Sequence, residues 1–218
     1  MRNNEEIDRE VEQKPYTYFE QQLVQRVHHY YLSEGIGAPC EYVEMIHKIR
    51  SSGPNETIHI HLNTPGGRLD TGVQMVNAMR ASEAHIMCSL ESEAHSLGTL
   101  IFLAADEFLV HDNCMMMFHN YSGGTWGKGN EQEAQVIATI KWFNELAEDI
   151  YRPFLTEQEV QNILKGEDLW VHSEDIRKRL LKMVKIMEME AKAELKVLED
   201  KITAKEKKLA ARAPKKKA

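Results

Sequence analysis

Cysteine is scarce in this chain of 218 residues, which has only Cys40, Cys88 and Cys114. The three lie far apart, are odd in number and form no Cys-x-x-Cys pair. This pattern argues against a disulfide framework and against a zinc site built on cysteine. Reduced thiols are typical of a reducing compartment, so we expect a cytoplasmic location.

Long apolar runs and targeting signals are also missing. No run approaches the roughly 18 apolar residues that a membrane span requires, so no membrane partner is expected. The first twelve residues carry five acidic side chains and no apolar core, unlike a secretory signal peptide. The sequence has no Gly-x-x-x-x-Gly-Lys-Ser/Thr loop, so we do not expect the chain itself to hydrolyse ATP.

Positive charge is rare over most of the chain and concentrated at its end. The net charge is −7, but residues 177–218 hold 15 Lys and Arg against 6 Asp and Glu, whereas residues 1–176 hold 12 against 28. Duplex binding depends on neutralising phosphates, so the acidic body argues against nucleic acid as the main ligand. The basic tail remains available for nucleic acid or for an acidic partner.

Composition and hydropathy predict three regions. Residues 1–15 are polar and acidic, which predicts a disordered N-terminus. Residues 16–176 carry the apolar patterns of a folded domain. Residues 177–218 have apolar residues at spacings of three, four and seven, which predicts a basic amphipathic helix with a disordered end. This helix is either solvated or packed on a partner as in a coiled coil.

Strand-like and helix-like patterns alternate in the central region. Apolar alternation or short apolar runs predict strands at 27–32, 57–62, 84–90, 108–110 and 115–118. Helical spacing predicts helices at 16–26, 42–49, 69–80, 95–105, 131–155 and 156–166. A capping box, Thr156 with Glu159, marks the start of the last of these helices. The alternation predicts an α/β fold of parallel βαβ units with right-handed crossovers.

Three short segments carry candidate chemistry. Pro65-Gly66-Gly67 follows a predicted strand, and its glycines allow backbone N–H groups to approach a ligand. Ser96 lies at the junction of a strand and an apolar helix, where the N–H of Leu97 is free to donate. His119 ends an apolar strand before Ser122-Gly123-Gly124. Each segment alone also has a structural interpretation, as a turn, an N-cap serine or a structural histidine.

The order and spacing of these segments resemble the Clp protease proteolytic subunit, the ClpP-like serine peptidases. The family motif N-S-P-G-G corresponds to Asn63-Thr64-Pro65-Gly66-Gly67, and A-S-M-G corresponds to His95-Ser96-Leu97-Gly98. The motif M-I-H-Q-P-x-G-G corresponds to Met117-Phe118-His119-Asn120-Tyr121-Ser122-Gly123-Gly124. The family's aspartate lies about fifty residues after the histidine and before an aromatic, and Asp168 matches it, followed by Leu169-Trp170. The resemblance covers roughly residues 18–175.

The resemblance implies a serine endopeptidase that hydrolyses unfolded proteins inside a ring-shaped chamber and needs no cofactor. Ser96 would be the nucleophile, His119 the general base and Asp168 the acid that orients the imidazole. The backbone N–H groups of Gly67 and Leu97 would hold the oxyanion. The chain order of serine, histidine and acid differs from that of the α/β-hydrolases.

The resemblance also implies a fold and partners. The fold would be ClpP/crotonase-like α/β with repeated βαβ units, residues 131–155 as a protruding handle helix and the C-terminal amphipathic helix as an addition. The implied partners are copies of the chain in stacked rings of seven, an AAA+ unfoldase ATPase and peptide or protein substrates. If the chain is phage-encoded, the location would be the host cytoplasm.

Two departures from the family keep alternatives open. His95 stands where alanine is expected, so it either crowds the nucleophile or faces away. The family's glycine and final strand after Asp168 are replaced by residues 173–179. The divergence resembles that of phage-encoded members, so one alternative is a viral capsid-maturation protease of the same fold. Others are a catalytically inactive ring-forming subunit and a crotonase-type acyl-CoA enzyme, which needs no Ser-His-Asp set.

The ten histidines raise the question of a metal site. None lies in a His-x-x-x-His or His-Glu-x-x-His pattern with a usable acid, and His28 and His29 point to opposite faces of a strand. His59 and His61 share a strand face, but no carboxylate lies nearby in the sequence. The sequence therefore predicts no metal site.

Overall fold

The computed structural model of the protein describes residues 25–212. The predicted disordered segment 1–15 and most of the predicted helix 16–26 lie outside the described residues, as do residues 213–218.

The described chain contains six strands and six α-helices. The strands are β1 (Arg26–Leu32), β2 (Glu56–Thr64), β3 (His85–His95), β4 (Glu107–Val110), β5 (Met115–Phe118) and β6 (Leu169–His172). The helices are α1 (Val43–Ser51), α2 (Leu69–Arg80), α3 (Leu97–Leu103), α4 (Gly129–Tyr151), α5 (Glu157–Leu164) and α6 (Ser173–Arg212). A single 3₁₀ turn, Pro39–Tyr42, precedes α1.

All six strands belong to one sheet. Its order is β1-β2-β3-β5-β6, with β4 paired to the first part of β3. The neighbouring strands are parallel except for β5 and β6, which are antiparallel. The prediction of an α/β fold with parallel strands joined by helices is therefore confirmed, and the antiparallel strand β6 is an addition to it.

One face of the sheet forms the core. Ile58, Ile60 and Leu62 alternate along β2 and are fully buried, as are Cys88 and Leu90 of β3. Each fully buried aliphatic side chain of this kind contributes about 1.5–3 kcal/mol to the free energy of unfolding. The opposite face of the same strands carries histidine, serine and glutamate side chains, so strand alternation separates the two faces.

Two predicted boundaries around the candidate serine are wrong. Strand β3 continues to His95 instead of ending at residue 90, because residues 93–95 pair with β5. Backbone pairing with β5 holds residues 93–95 extended, and the polar side chains of this segment give no sequence signal for a strand. As a result α3 starts at Leu97 and ends at Leu103, shorter than the predicted helix 95–105.

Helix α4 also ends earlier than predicted. Helix α4 stops at Tyr151 and not at residue 155. Pro153 disfavours a helical backbone at the residue before it, and Arg152 is extended, with φ −80° and ψ 134°. The predicted capping box is present in α5, where Thr156 Oγ1 accepts from Glu159 N.

The last helix begins in the core and continues away from it. The Ser173 hydroxyl accepts from Cys114 N at 2.6 Å and fixes the start of α6 beside β5. Ile176, Leu180 and Met183 are buried, whereas the described side chains from residue 187 onward are exposed. The helix runs through the predicted boundary at 176/177. Among the described residues, no helix is both long enough and apolar enough to cross a bilayer.

Candidate active site

The three predicted catalytic residues lie at the ends of three neighbouring strands. Ser96 follows the last residue of β3, His119 follows the last residue of β5, and Asp168 precedes the first residue of β6. Ser96 N donates to Met117 O at 2.8 Å, which joins the end of β3 to β5. Because β5 lies between β3 and β6, all three residues are placed at one edge of the sheet.

Ser96 occupies a strained turn between β3 and α3. Its φ of 52° and ψ of −119° are unfavourable for a residue with a Cβ. Such a conformation costs on the order of 1–3 kcal/mol and occurs preferentially at functional sites. In the α/β-hydrolases, a sharp strand-to-helix turn presents the nucleophilic serine hydroxyl at the end of the sheet.

Ser96 and His119 line the same cavity, whose volume is about 380 Å³. Gly67 and Leu97, the two predicted oxyanion donors, also line it. Both candidate catalytic side chains are half-buried. The arrangement therefore brings a hydroxyl, an imidazole and two backbone segments to one cavity.

Asp168 is exposed and does not line this cavity. Within residues 25–212, the side chains of Ser96, His119 and Asp168 have no hydrogen bonds with one another. Catalytic hydrogen bonds are often long or poorly aligned before substrate binds and tighten in the complex.

The two glycines after β2 shape the wall beside Ser96. Gly66 has φ 96°, and a Cβ there would lie 2.8 Å from Ser96 Cβ and 2.7 Å from His95 O. Only glycine allows the backbone to pass so close to the serine. The Pro-Gly-Gly motif thus brings the end of β2 against the turn that carries Ser96.

The N–H groups of Gly67 and Leu97 are available to a ligand. Gly67 forms a parallel bridge with Ile36 in which Ile36 N donates to Gly66 O and Arg68 N donates to Ile36 O. This pattern turns the Gly67 N–H away from Ile36. Leu97 is the first residue of α3, so its N–H has no acceptor within the helix.

His95 does not line the cavity. Its ring packs edge-on against Trp170 of β6, with the ring centroids 5.3 Å apart, and its Nδ1 lies 3.7 Å from Glu93 Oε2. The Nε2 atom is buried, and it has no hydrogen-bond partner among the described residues. Of the two sequence-based expectations for His95, the structure agrees with a ring that faces away from Ser96.

Part of the cavity wall was not predicted from the sequence. Leu69, Leu100 and Phe143 are apolar residues that line it, and Tyr151 lines it as well. The Tyr151 hydroxyl is within 3.0 Å of Thr99 Oγ1, and burial raises its pKa to about 12. Tyr151 is therefore neutral at ordinary pH. These side chains come from three helices, and no motif in the sequence links them.

Comparison with known proteins identifies the class to which this α/β fold and serine-containing site belong. The family model described as Clp protease matches residues 39–175, more than half of the chain. The chain belongs to the Clp protease family, so the resemblance inferred from the motifs is confirmed.

Individual relatives are similar at low identity. The ATP-dependent Clp protease proteolytic subunit of Streptococcus suis is 32% identical over 87 residues, which cover 39% of this chain and 44% of that protein. The subunit of the same name from Deinococcus radiodurans is 27% identical over 124 residues, which cover 53% of this chain and 60% of that protein. The matched stretch thus spans about half the length of these curated relatives.

Proposed function

We propose that this chain is a serine endopeptidase of the Clp proteolytic-subunit type. The observation that carries the proposal is the cavity shared by Ser96 and His119, with Ser96 on a strained turn and the free N–H groups of Gly67 and Leu97 beside it. Membership in the Clp protease family and the names of the two relatives support the same conclusion.

In the proposed reaction, Ser96 Oγ attacks the peptide carbonyl carbon while His119 takes the hydroxyl proton. The Gly67 and Leu97 N–H groups donate to the oxyanion that develops on the carbonyl oxygen. His119 then gives the proton to the leaving amine, and the acyl group stays on Ser96. Water, activated by His119, hydrolyses the acyl-enzyme and regenerates the serine hydroxyl. Asp168 orients the imidazole and stabilises its cationic form.

The proposed substrates are unfolded proteins that enter a chamber formed by rings of this chain. Helix α4 is proposed as the handle that joins two rings, because Ile137, Ile140 and Trp142 on it are large apolar side chains exposed to solvent. The curated relatives are named as ATP-dependent subunits, so an unfoldase of the AAA+ class is the proposed partner.

The direct test is labelling of the intact chain with a fluorophosphonate, which phosphonylates an activated serine and releases fluoride. We expect labelling and cleavage of a short fluorogenic peptide by the wild type and neither by Ser96→Ala. The matched control is Ser92→Ala, which alters an exposed serine of β3 four residues before Ser96. Circular dichroism must show that both variants fold, and unchanged labelling of Ser96→Ala would reject Ser96 as the nucleophile.

The same experiment decides between an active peptidase and an inactive ring-forming subunit. The altered residue His95 motivated the inactive alternative, and its ring lies against Trp170. Cleavage of the peptide by the isolated wild-type chain excludes an inactive subunit. A folded wild-type chain that is not labelled by the fluorophosphonate and does not cleave the peptide supports the inactive alternative.

A second candidate, a capsid-maturation protease with the same chemistry, is favoured by α6. This helix is 40 residues long and leaves Leu195, Leu198 and Ile202 exposed on a basic segment. Such a segment fits a scaffold protein or a further copy of the helix. Deleting residues 190–218 removes no described buried side chain. If the deletion variant no longer cleaves the scaffold protein but still cleaves the peptide, this candidate is supported. If the variant assembles and cleaves the scaffold protein as the full chain does, the result argues against it.

A further inference from the structure

Three histidines come together on the polar face of the sheet, away from the candidate active site. His29 of β1 is the register partner of His59 of β2, and His61 lies two residues further on the same face of β2. One ring nitrogen from each of the three lies within 4.8 Å of the other two. None of the three residues lines the cavity at Ser96.

The distances are close to those of a metal-binding set. Tetrahedral zinc with Zn–N bonds of about 2.0–2.1 Å requires ligand nitrogens about 3.3–3.4 Å apart. His29 Nδ1 lies 3.0 Å from His61 Nε2. The ring centroids of His59 and His61 are 4.0 Å apart, and those of His29 and His59 are 5.1 Å apart. The three ligand nitrogens already lie within 4.8 Å of one another, and binding one ion requires them to move to about 3.3–3.4 Å.

A carboxylate supports the central histidine. His61 Nδ1 lies 2.7 Å from Glu91 Oε1, so Nδ1 carries the proton that is donated to the carboxylate. Nε2 of His61 then presents its lone pair to the cluster. This carboxylate–histidine arrangement is common behind metal-binding histidines, where it fixes the tautomer and strengthens the ligand.

Neighbouring side chains hold two of the rings in place. The His59 ring is hydrogen-bonded through Nε2 to the Ser89 hydroxyl, which is buried. The Tyr31 ring stacks on His61 with centroids 4.2 Å apart and an interplanar angle of 8°. His59 and His61 are therefore positioned before any ion binds, whereas His29 is exposed and free to adjust.

We propose that His29, His59 and His61 form a binding site for a divalent zinc ion, with Glu91 as the carboxylate that orients His61. Three imidazoles are a ligand set that zinc accepts, with water in the fourth position. The bound ion would tie the edge strand β1 to β2. The nitrogens that form the His29–His61 hydrogen bond are the ones that would bind the ion.

The test uses the full chain, purified without a polyhistidine tag, stripped with a chelator and titrated with zinc chloride against a chromophoric competitor. We expect one zinc per chain for the wild type. His29→Gln should weaken binding at least 100-fold, because one of three ligands is lost. Glu91→Gln should weaken it about 10–100-fold, as loss of an orienting carboxylate does at other zinc sites.

The matched control is His47→Gln, which alters an exposed histidine on α1 and should leave zinc affinity unchanged. A second measurement is thermal unfolding, in which zinc should raise the Tm of the wild type and of His47→Gln but not that of His29→Gln. The proposal is overturned if the wild type binds no zinc stoichiometrically, or if His29→Gln binds zinc as the wild type does. Neither readout depends on peptidase activity.

Discussion

His119 and Asp168 flank the last residue pair of the β5–β6 ladder, one at the end of β5 and the other before β6. The last antiparallel pair is Phe118 with Leu169, and one further step in the same register places His119 opposite Asp168. Directly opposed residues in an antiparallel pair have Cα atoms about 4.5–5.5 Å apart. This position in the chain supports the proposed pairing of the carboxylate with the imidazole, although Asp168 is exposed and lies outside the cavity in this structure.

Replacing Asp168 with asparagine tests this relationship. Asp168→Asn keeps the shape of the side chain but removes the charge that orients and stabilises the histidine. We expect kcat for a fluorogenic peptide to fall by about 10⁴-fold, as in the type case of the triad. Glu167→Gln, which changes the neighbouring exposed acid, should leave kcat within about twofold. Equal activity of the two variants would remove Asp168 from the proposed triad.

The apolar side of the cavity predicts the substrate preference of the proposed peptidase. Leu69, Leu100 and Phe143 line it, and the charge of Arg68 is paired with Asp70 at 2.6 Å. A charged side chain placed there would lose its hydration without gaining a free partner. We expect peptides with Leu or Phe before the scissile bond to have kcat/KM at least about 100-fold above peptides with Lys or Asp. A preference for either charged residue would contradict this assignment of the cavity.

The sequence predicts some elements of the fold well and others poorly. Helix α2 spans Leu69–Arg80 as predicted, because its apolar residues follow a helical period between clear turn signals. Strand β6 is not predicted from the sequence, and Val171 is its one buried residue. Its place in the sheet depends on pairing with β5, which lies more than fifty residues earlier in the chain.

The histidine cluster shows why a proposed metal site can escape sequence analysis. His61 and Glu91 are 30 residues apart, so the sequence offers no acid near the histidines. Parallel pairing of β2 with β3 aligns His61 with Ser89 and places Glu91 diagonally next to it. The candidate catalytic residues, by contrast, are recognisable because family motifs mark each of them.

The buried ring of His95 gives a prediction about stability. Its Nε2 atom has no partner among the described residues, and a buried unpaired polar atom costs about 1–3 kcal/mol. His95→Phe keeps an aromatic ring against Trp170 and removes this atom. We expect the free energy of urea unfolding to stay equal or rise by about 1 kcal/mol, with fluorophosphonate labelling retained.

The control for His95 is His172→Leu, which changes an exposed histidine of β6 and should shift the free energy of unfolding by less than about 0.5 kcal/mol. A large loss of stability together with loss of labelling in His95→Phe would show that this side chain is packed tightly against the serine turn.

The ion pair between α5 and α6 predicts how stability depends on pH. Arg179 donates two hydrogen bonds to Glu159, at 2.9 and 2.7 Å, and Thr156 donates to the same carboxylate. These contacts lower the pKa of Glu159 from 4.5 to about 2, and the hydrogen bond from Arg179 has the largest effect. The unfolded chain therefore binds the proton more readily, so the stabilisation is present above pH 4.5 and is lost as the pH falls towards 2.

Glu159→Gln should lower the free energy of unfolding by about 1–2 kcal/mol at pH 7, because a half-buried bidentate pair is lost. The difference from the wild type should shrink between pH 4.5 and 2, measured by urea unfolding at fixed protein concentration. Glu157→Gln, whose partner Arg152 lies 3.1 Å away on the surface, should change the free energy by less than about 0.5 kcal/mol. Parallel pH profiles for the wild type and Glu159→Gln would show that the pair does not couple α6 to the folded domain.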